Sequence, residues 1–344
     1  MVQLMRILVT GAAGRIGRHV VDGYLADGAE VRALVLPGDP SAGLLEAAGV
    51  KTTVGRLEDR SAVERAVDNA EIICHLAASL TSRGHADDDF FETNLRGVYN
   101  LLQSARVFAP GLRRLVVASS DAVYWAGRTV PPLFLPVDET HPREPGSVYG
   151  GTKLAGEDLS LAFMRTYGLP VSIMRPSATA DPWELLDREG PFGRRHFVRG
   201  MLAHLERQAE LDEVSEELLS ALRPLDDGRE RLYVVADADG RPSRTTLNDA
   251  RDAADGMRRI AGSDAALGEA FNIGPATSYA EGELAGYLGE RLGLPVTVVP
   301  LRATRPDWVV SSDKARALLG YAPGRTVFDM VDEAIETRAK EIER

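Results

Sequence analysis

The stretch "RILVTGAAGRIG", residues 6 to 17, constrains the fold of this chain more than any other. A short aliphatic and β-branched run stops at Gly11. Gly14 and Gly17 then follow at intervals of three, and the helical pattern "RHVVDGYLADG" continues from them. Glycines in this place let the backbone turn tightly between a strand and a helix. They also let it approach a pyrophosphate, whose charge is met by free N–H groups and the positive end of the helix. The setting, strand before and helix after, makes a dinucleotide site the expectation, with Gly11, Gly14, Arg15, Ile16 and Gly17 at the pyrophosphate.

The same alternation continues through the first half. "VRALVL", "EIICHLA", "RRLVVASS" and "PVSIMRP" read as strands, separated by the amphipathic "SAVERAVDN" and "NLRGVYNLLQSARV". Continuous apolar strands alternating with helices indicate βαβ units and a parallel sheet covered on both faces. The expected fold is α/β, a doubly wound, Rossmann-like parallel sheet with a smaller, partly helical second domain. After Pro176 the alternation breaks, and residues 181–231 read as a charged helical insertion. The strand-like "RLYVVAD", the helix "ARDAADGMRRIAG", the strand "AFNIG", a helix from Tyr279 to Leu292 and the strand "VTVVPL" come next. Residues 1–174 and 246–274 are expected to form the dinucleotide-binding domain, and 175–245 with 275–344 the substrate domain.

A net charge of -11, spread without an acidic tail, argues against nucleic acid or an anionic membrane as partner, since phosphate backbones call for clustered cations. A small-molecule substrate is the expectation. The single cysteine, Cys74, excludes an intrachain disulfide and reads as a buried thiol. The apolar run near Met1 is too short for a signal peptide, so a cytoplasmic enzyme is expected. His75, His141, His196 and His204 have no metal-ligand spacing, and no metal is assigned. The basic "GRRHFVR", Gly193 to Arg199, is a candidate receiver for an anionic substrate group, and Trp125 and Trp183 are candidate walls of the substrate site.

A carboxylate about twenty residues past the glycines commonly takes the ribose 2′-hydroxyl of NAD. Here that place holds Val35 and Leu36, with Asp39 nearby. Asp39 tilts the cofactor toward NAD, whereas Arg15 or Arg32 would have to supply the cation for NADP. In "SVYGGTKLAGEDL", Tyr149 precedes Lys153 by four residues, which places both on one face of a helix. A phenol titrates near about 10, so its use as a base at neutral pH needs positive charge beside it, and a lysine one turn on supplies that charge. Ser120 follows the strand "RRLVVAS", at the sheet edge where open α/β folds bind ligands.

The glycine motif, "HLAA" at 75–78, "VVASSDAVY" at 116–124, "YGGTK" at 149–153, "NLRGVYNLLQSA" from Asn94, "FNIG" from Phe271 and "SSDKARALLGYAP" from Ser311 together resemble the extended short-chain dehydrogenase/reductase family, its NAD(P)-dependent epimerase/dehydratase group. The resemblance implies Tyr149 as acid/base, Lys153 as its electrostatic partner and Ser120 as the residue orienting the substrate oxygen. It adds Leu57, Leu76, Ala77, Ala78, Tyr149, Lys153 and Pro176 to the cofactor contacts. It assigns Ser79, Asp121, Ala122, Ala178, Thr179 and Arg244 to the substrate. A homodimer paired through two helices is also implied. The implied activity is NAD(P)-dependent epimerisation, or oxidation and reduction, of a hydroxyl on a sugar or sugar nucleotide.

The chain departs from the family pattern twice. Ala122 stands where dehydrating members carry a glutamate, which disfavours elimination and leaves Asp121 to cap the following turn. Ala178 stands near the place of an asparagine that contacts nucleotide sugars. A dehydrogenase or ketoreductase acting on a uronate, a steroid-like alcohol or a natural-product ketone therefore stays open, and a non-catalytic NAD(P)-binding regulator is the remaining alternative.

Overall fold

The structure, a computed structural model, describes residues 4–80, 87–127 and 129–342. Seven parallel strands form the main sheet: β1 (Arg6–Thr10), β2 (Glu30–Val35), β3 (Lys51–Val54), β4 (Ile72–His75), β5 (Arg114–Ala118), β6 (Val171–Pro176) and, after four short pieces elsewhere, β11 (Ala270–Ile273). Their order is β11-β6-β5-β4-β1-β2-β3. The order reverses between β1 and β4, and such a switch point opens a crevice beyond the carboxyl ends of the strands.

Helices cover both faces. They are α1 (Arg15–Ala26), α2 (Ala42–Ala47), α3 (Arg60–Val67), α4 (Asp87–Phe90), α5 (Gly97–Phe108), α6 (Val148–Tyr167) and, later in the chain, α9 (Ala250–Gly262). Side chains of a strand alternate between faces, and β1 shows why its sequence is apolar throughout. Ile7 and Val9 pack into one core with Val20 of α1 and Met257 of α9. Leu8 enters the opposite core with Val63 of α3, Leu101 of α5 and Phe163 of α6. All three strand residues are fully buried, each worth roughly 1.5–3 kcal/mol. β3, "KTTV", is instead a partly exposed edge strand with little apolar signal, and the sequence reading passed over it.

The remaining elements surround the carboxyl edge of the sheet. β7 (Thr179–Ala180) pairs with β10 (Asn248–Asp249), β8 (Leu232–Ala236) with β13 (Val296–Pro300), and β9 (Arg244–Thr245) with β12 (Tyr279–Ala280). Residues 181–231 contain α7 (Val198–Glu206) and α8 (Glu213–Leu222), with 3₁₀ turns before α7 and after α8. With α10 (Glu281–Leu292) and α12 (Val327–Ile342) they enclose two further apolar clusters, one around Phe197, Leu232, Leu288 and Met330 and one around Leu202, Leu222 and Tyr233, whereas α11 (Asp313–Leu319) packs Ala315 and Leu319 onto the core of the main sheet. No helix among the described residues is long and apolar enough to cross a membrane.

Candidate active site

The glycine turn after β1 has the close contacts its residue types imply. Gly11 takes φ +70°, in the left-handed region, and a Cβ added at Gly17 would lie 2.0 Å from the Gly11 carbonyl oxygen. Only glycine lets α1 start this near the turn. Beside it lies a cleft of about 400 Å³ lined by Gly11, Gly14, Leu57, Ala77, Ala78 and Ser79. The "HLAA" segment is held there by Thr10, whose Oγ accepts the Ala77 N–H (3.3 Å) and lies 2.7 Å from His75 Nδ1. Burial, then the charge of Lys153, lowers the His75 pKa to about 3, so its imidazole is neutral beside the Thr10 hydroxyl. A glycine cradle, a helix amino end and this slot at the sheet's switch point fit a dinucleotide.

The structure qualifies several expected contacts. Ile16 packs its side chain into the core beneath α1, which leaves only its backbone for a ligand, and Leu76 packs against the same core. Arg15 forms a two-pronged pair with Glu184 (both bonds 2.6 Å) and lies over the Phe192 ring, so its charge is already met within the protein. Arg32 is likewise engaged, with Glu30 and the Asp68 carbonyl. Ser79, expected at the substrate, lines the cleft beside the glycine turn. Its backbone is fixed by Asn94, which accepts the Ser79 N–H (2.8 Å) and donates to the Ser79 carbonyl (3.0 Å). Pro176 ends β6 at the same edge, in register with Ile273.

Asn94 also reaches α6. Its Nδ2 donates to Thr152 Oγ (3.2 Å), and Thr152 in turn donates to the Tyr149 carbonyl (2.9 Å). Residues Phe91–Arg96 wind as a π-helical turn, the wide turn that brings this side chain inward. The motif that starts at Asn94 carries part of the family resemblance, but nothing local in the sequence points to these contacts.

α6 starts at Ser147, whose Oγ accepts the Gly150 N–H (3.1 Å), so Tyr149 and Lys153 occupy its first two turns. Lys153 is buried, its Nζ donates to the Ala118 carbonyl at the end of β5 (2.6 Å), and it lies 6.0 Å from the Tyr149 ring centre. Burial lowers the Lys153 pKa to about 8 against the opposing charge of Glu157. Glu157, one turn on, is fully buried and receives two bonds from Arg175 (2.8 and 2.7 Å). Arg175 also donates to the Tyr124 hydroxyl (2.6 Å), which donates to Asn272 (2.8 Å). This network ties α6 to β6 and β11 beneath Tyr149 and Lys153.

Ser120 accepts the Ala122 N–H (3.1 Å) and donates to Asp121 Oδ1 (3.2 Å), and it lies near enough to Tyr149 to favour the phenolate. Ser120, rather than Asp121, caps the turn that follows. Asp121 Oδ2 accepts the indole N–H of Trp308 (3.1 Å). Burial raises the Asp121 pKa. Burial foremost, and the Asp121 charge, push Tyr149 up to about 12 against the Ser120 hydroxyl. Tyr149 therefore rests protonated, and a cationic ligand beside it would favour its ionisation.

Trp308 belongs to a segment zipped onto β9. Its N–H donates to the Arg244 carbonyl (2.7 Å), and Asp307 accepts the Arg244 N–H (2.8 Å). The Arg244 guanidinium reaches Ser278 (3.3 Å to Oγ). Trp125 tilts against Trp308 at 6.1 Å, with Arg305 over its outer face, whereas Trp183 is half exposed and walls none of this. Beyond lies a second cavity, about 390 Å³, lined by Arg194, Arg195, Tyr233, Ser243, Glu281 and Arg305. The basic cluster thus contributes two arginines to a cavity, while Arg199 pairs with Asp226. Ala178 packs its methyl against the second apolar region, and Thr179 Oγ donates to the Ser177 carbonyl (2.7 Å).

Residues 7–274 match the model of the NAD dependent epimerase/dehydratase family. A short-chain dehydrogenase/reductase superfamily protein from Agrobacterium tumefaciens, solved with bound NAD, superposes with a TM-score of 0.86 at 32% identity, over 98% of this chain and 100% of that one. A UDP-glucose 4-epimerase from Lacticaseibacillus casei is 28% identical over 97% of this chain and 95% of its own. A 4-hydroxy-2-methyl-3-oxo-4-farnesyl-3,4-dihydroquinoline-1-oxide ketoreductase from Stigmatella aurantiaca is 36% identical over 46% of this chain and 45% of that protein. The chain spans about half the length of the first curated relatives it matches.

Proposed function

The chain belongs to the NAD dependent epimerase/dehydratase family, and from that premise we propose that it moves hydride between a nicotinamide cofactor and a hydroxyl-bearing carbon of a sugar or sugar nucleotide, epimerising it or changing its oxidation state. The observation that carries this reading is the meeting of Ser120, Tyr149 and buried Lys153 at the sheet edge that also bears the glycine turn. A nicotinamide ring bound there supplies the hydride acceptor and a positive charge. Tyr149 exchanges a proton with the substrate oxygen, Ser120 orients that oxygen and Lys153 favours the phenolate. The cofactor is NAD in preference to NADP, on Asp39 and on the prior engagement of Arg15 and Arg32.

The second reading, a ketoreductase or dehydrogenase on a non-nucleotide substrate, rests on the second cavity. There Glu281 stands among Arg194, Arg195 and Arg305, so their positive charge is partly met before any diphosphate arrives. Ala178 offers no polar group. Thermal-shift measurement with UDP-glucose and other nucleotide sugars separates the two. A ligand at a hundred times its dissociation constant adds about 2.7 kcal/mol, and no shift with any nucleoside diphosphate would favour the second reading. Nicotinamide that stays with the protein through extensive dialysis supports an epimerase; its loss, with net cofactor turnover, supports a dehydrogenase.

A cytoplasmic homodimer completes the proposal. α5 and α6 leave Tyr99, Val107, Phe108, Val148 and Tyr167 exposed, which suits pairing across these helices. A monomeric mass in solution would rule that pairing out.

A further inference from the structure

The second cavity contains a hydroxyl that the protein leaves unmet. Side chains alternate along β8: Tyr233 and Val235 line the cavity, whereas Leu232 packs into the cluster with Leu288 and Met330. Tyr233 is 2% exposed, and its hydroxyl has no hydrogen-bond partner among the described residues. Burial foremost, then the charge of Glu281, raises its pKa, so it stays a phenol able to donate. A buried hydroxyl without a partner is rare in a folded protein, and one that lines a cavity is placed for a ligand.

Two charged groups converge on the same space. Glu281 is the first residue of α10, and its N–H donates to the Ser243 carbonyl (2.9 Å), which fixes the head of the helix at the cavity. Its carboxylate has no hydrogen-bond or ion-pair partner among the described residues. Neither has the guanidinium of Arg195, which lies over the Phe192 ring at 5.7 Å. The acid and the base thus share one cavity without pairing, and both keep their hydrogen-bonding capacity for a ligand. Across the whole lining the charges balance, Arg194, Arg195 and Arg305 against Glu210, Asp212 and Glu281. A diphosphate entering here meets as much negative as positive charge, whereas a hydroxyl both donates and accepts. Leu205 of α7 and Leu218 of α8 add apolar walls, which suit the C–H face of a sugar ring.

We propose that the second cavity holds an uncharged, hydroxyl-rich unit of the substrate, a further sugar ring joined to the one that reacts and not a nucleoside diphosphate. Tyr233 donates to one of its oxygens, Glu281 accepts from its hydroxyls and Arg195 donates beside them. This inference rests on the sugar reading of the reaction and goes beyond it by assigning the choice of substrate class to three residues of this cavity.

Equilibrium binding to the full chain with NAD present tests it, with maltose, cellobiose, lactose and sucrose as uncharged probes and UDP as the charged one. The wild type is expected to bind at least one disaccharide, and to bind UDP about tenfold more weakly. Tyr233→Phe weakens that disaccharide about tenfold without lowering the unfolding temperature of the ligand-free protein, since the lost hydroxyl had no partner there. Glu281→Gln weakens the disaccharide by a similar factor and strengthens UDP about tenfold, because it removes only the charge. A wild type that binds UDP more tightly than every disaccharide, or binds none of the probes, overturns the proposal. So does a disaccharide affinity that Tyr233→Phe or Glu281→Gln leaves unchanged, or a Tyr233→Phe protein that is less stable without ligand. Failure to bind NAD is a separate result, and it overturns the reaction reading on which the inference rests.

Discussion

At the scale of single residues, the site carries a stability cost that its chemistry explains. Lys153 is buried with a pKa near 8 where an exposed lysine has 10.5, a difference worth about 3 kcal/mol. Below about pH 8 both folded and unfolded chains hold this proton, so the penalty is fully present. Between about 8 and 10.5 the unfolded chain binds more protons, and stability rises with pH. Lys153→Met is therefore expected to abolish turnover while stabilising the protein by roughly 2 kcal/mol near neutral pH, once the lost bond to Ala118 is allowed for. Urea titrations at neutral and alkaline pH check this. The gain over wild type should shrink at the higher pH, and a variant less stable at neutral pH would contradict it. Tyr149 and Lys153 were legible in the sequence because their spacing is local. Trp308 was not, because its partner Asp121 lies 187 residues earlier and only the fold brings them together.

At the scale of elements, two joints determine the site. The first is the turn from β1 into α1: Gly17→Ala drives a methyl group into the Gly11 carbonyl, so cofactor affinity should fall by at least tenfold. The second is the segment from Asp307 to Val310, bridged to Thr245 on one side and to Val137 on the other, which presents the Trp308 indole to Asp121. Trp308→Phe keeps the ring and removes the N–H. It is expected to lower kcat by about fivefold to tenfold with cofactor affinity unchanged. In an Asp121→Ala background the same change should have little further effect, and additive losses would show that Trp308 does not act through Asp121. The strands and α1, α6 and α9 could be read from apolar runs and periodicity. The π-helical turn at Phe91–Arg96 and the edge strand β3 could not, since the first looks like ordinary helix and the second lacks an apolar pattern.

At the scale of the whole molecule, the cofactor helix α1 is pinned to the chain that follows β7. Arg15 pairs with Glu184, Arg18 with Asp181 (2.6 Å), and His19 with Asp181 (3.0 Å). Both carboxylates are nearly buried. Glu184→Ala leaves Arg15 and the Asp181 N–H without an acceptor and is expected to cost about 3 kcal/mol in denaturant unfolding, with dinucleotide affinity lowered as α1 loosens. An unchanged midpoint would contradict this. The parallel, doubly wound sheet follows from the βαβ rhythm in the sequence, while its strand order comes from the fold. The interlock and the charge balance of the second cavity do not, because they join residues from distant parts of the chain.

The central claim is that Tyr149 passes the proton while hydride moves to or from nicotinamide at this sheet edge. The most direct test is the near-ultraviolet absorbance of reduced nicotinamide when nucleotide sugars, uronates and ketones are added to wild type and to Tyr149→Phe, with cofactor binding measured on both. The prediction is that the wild type either changes this absorbance with at least one of them or, with cofactor retained, converts a nucleotide sugar to its epimer, that the variant does neither, and that cofactor affinity is equal in the two. Equal absorbance change in wild type and variant would contradict it.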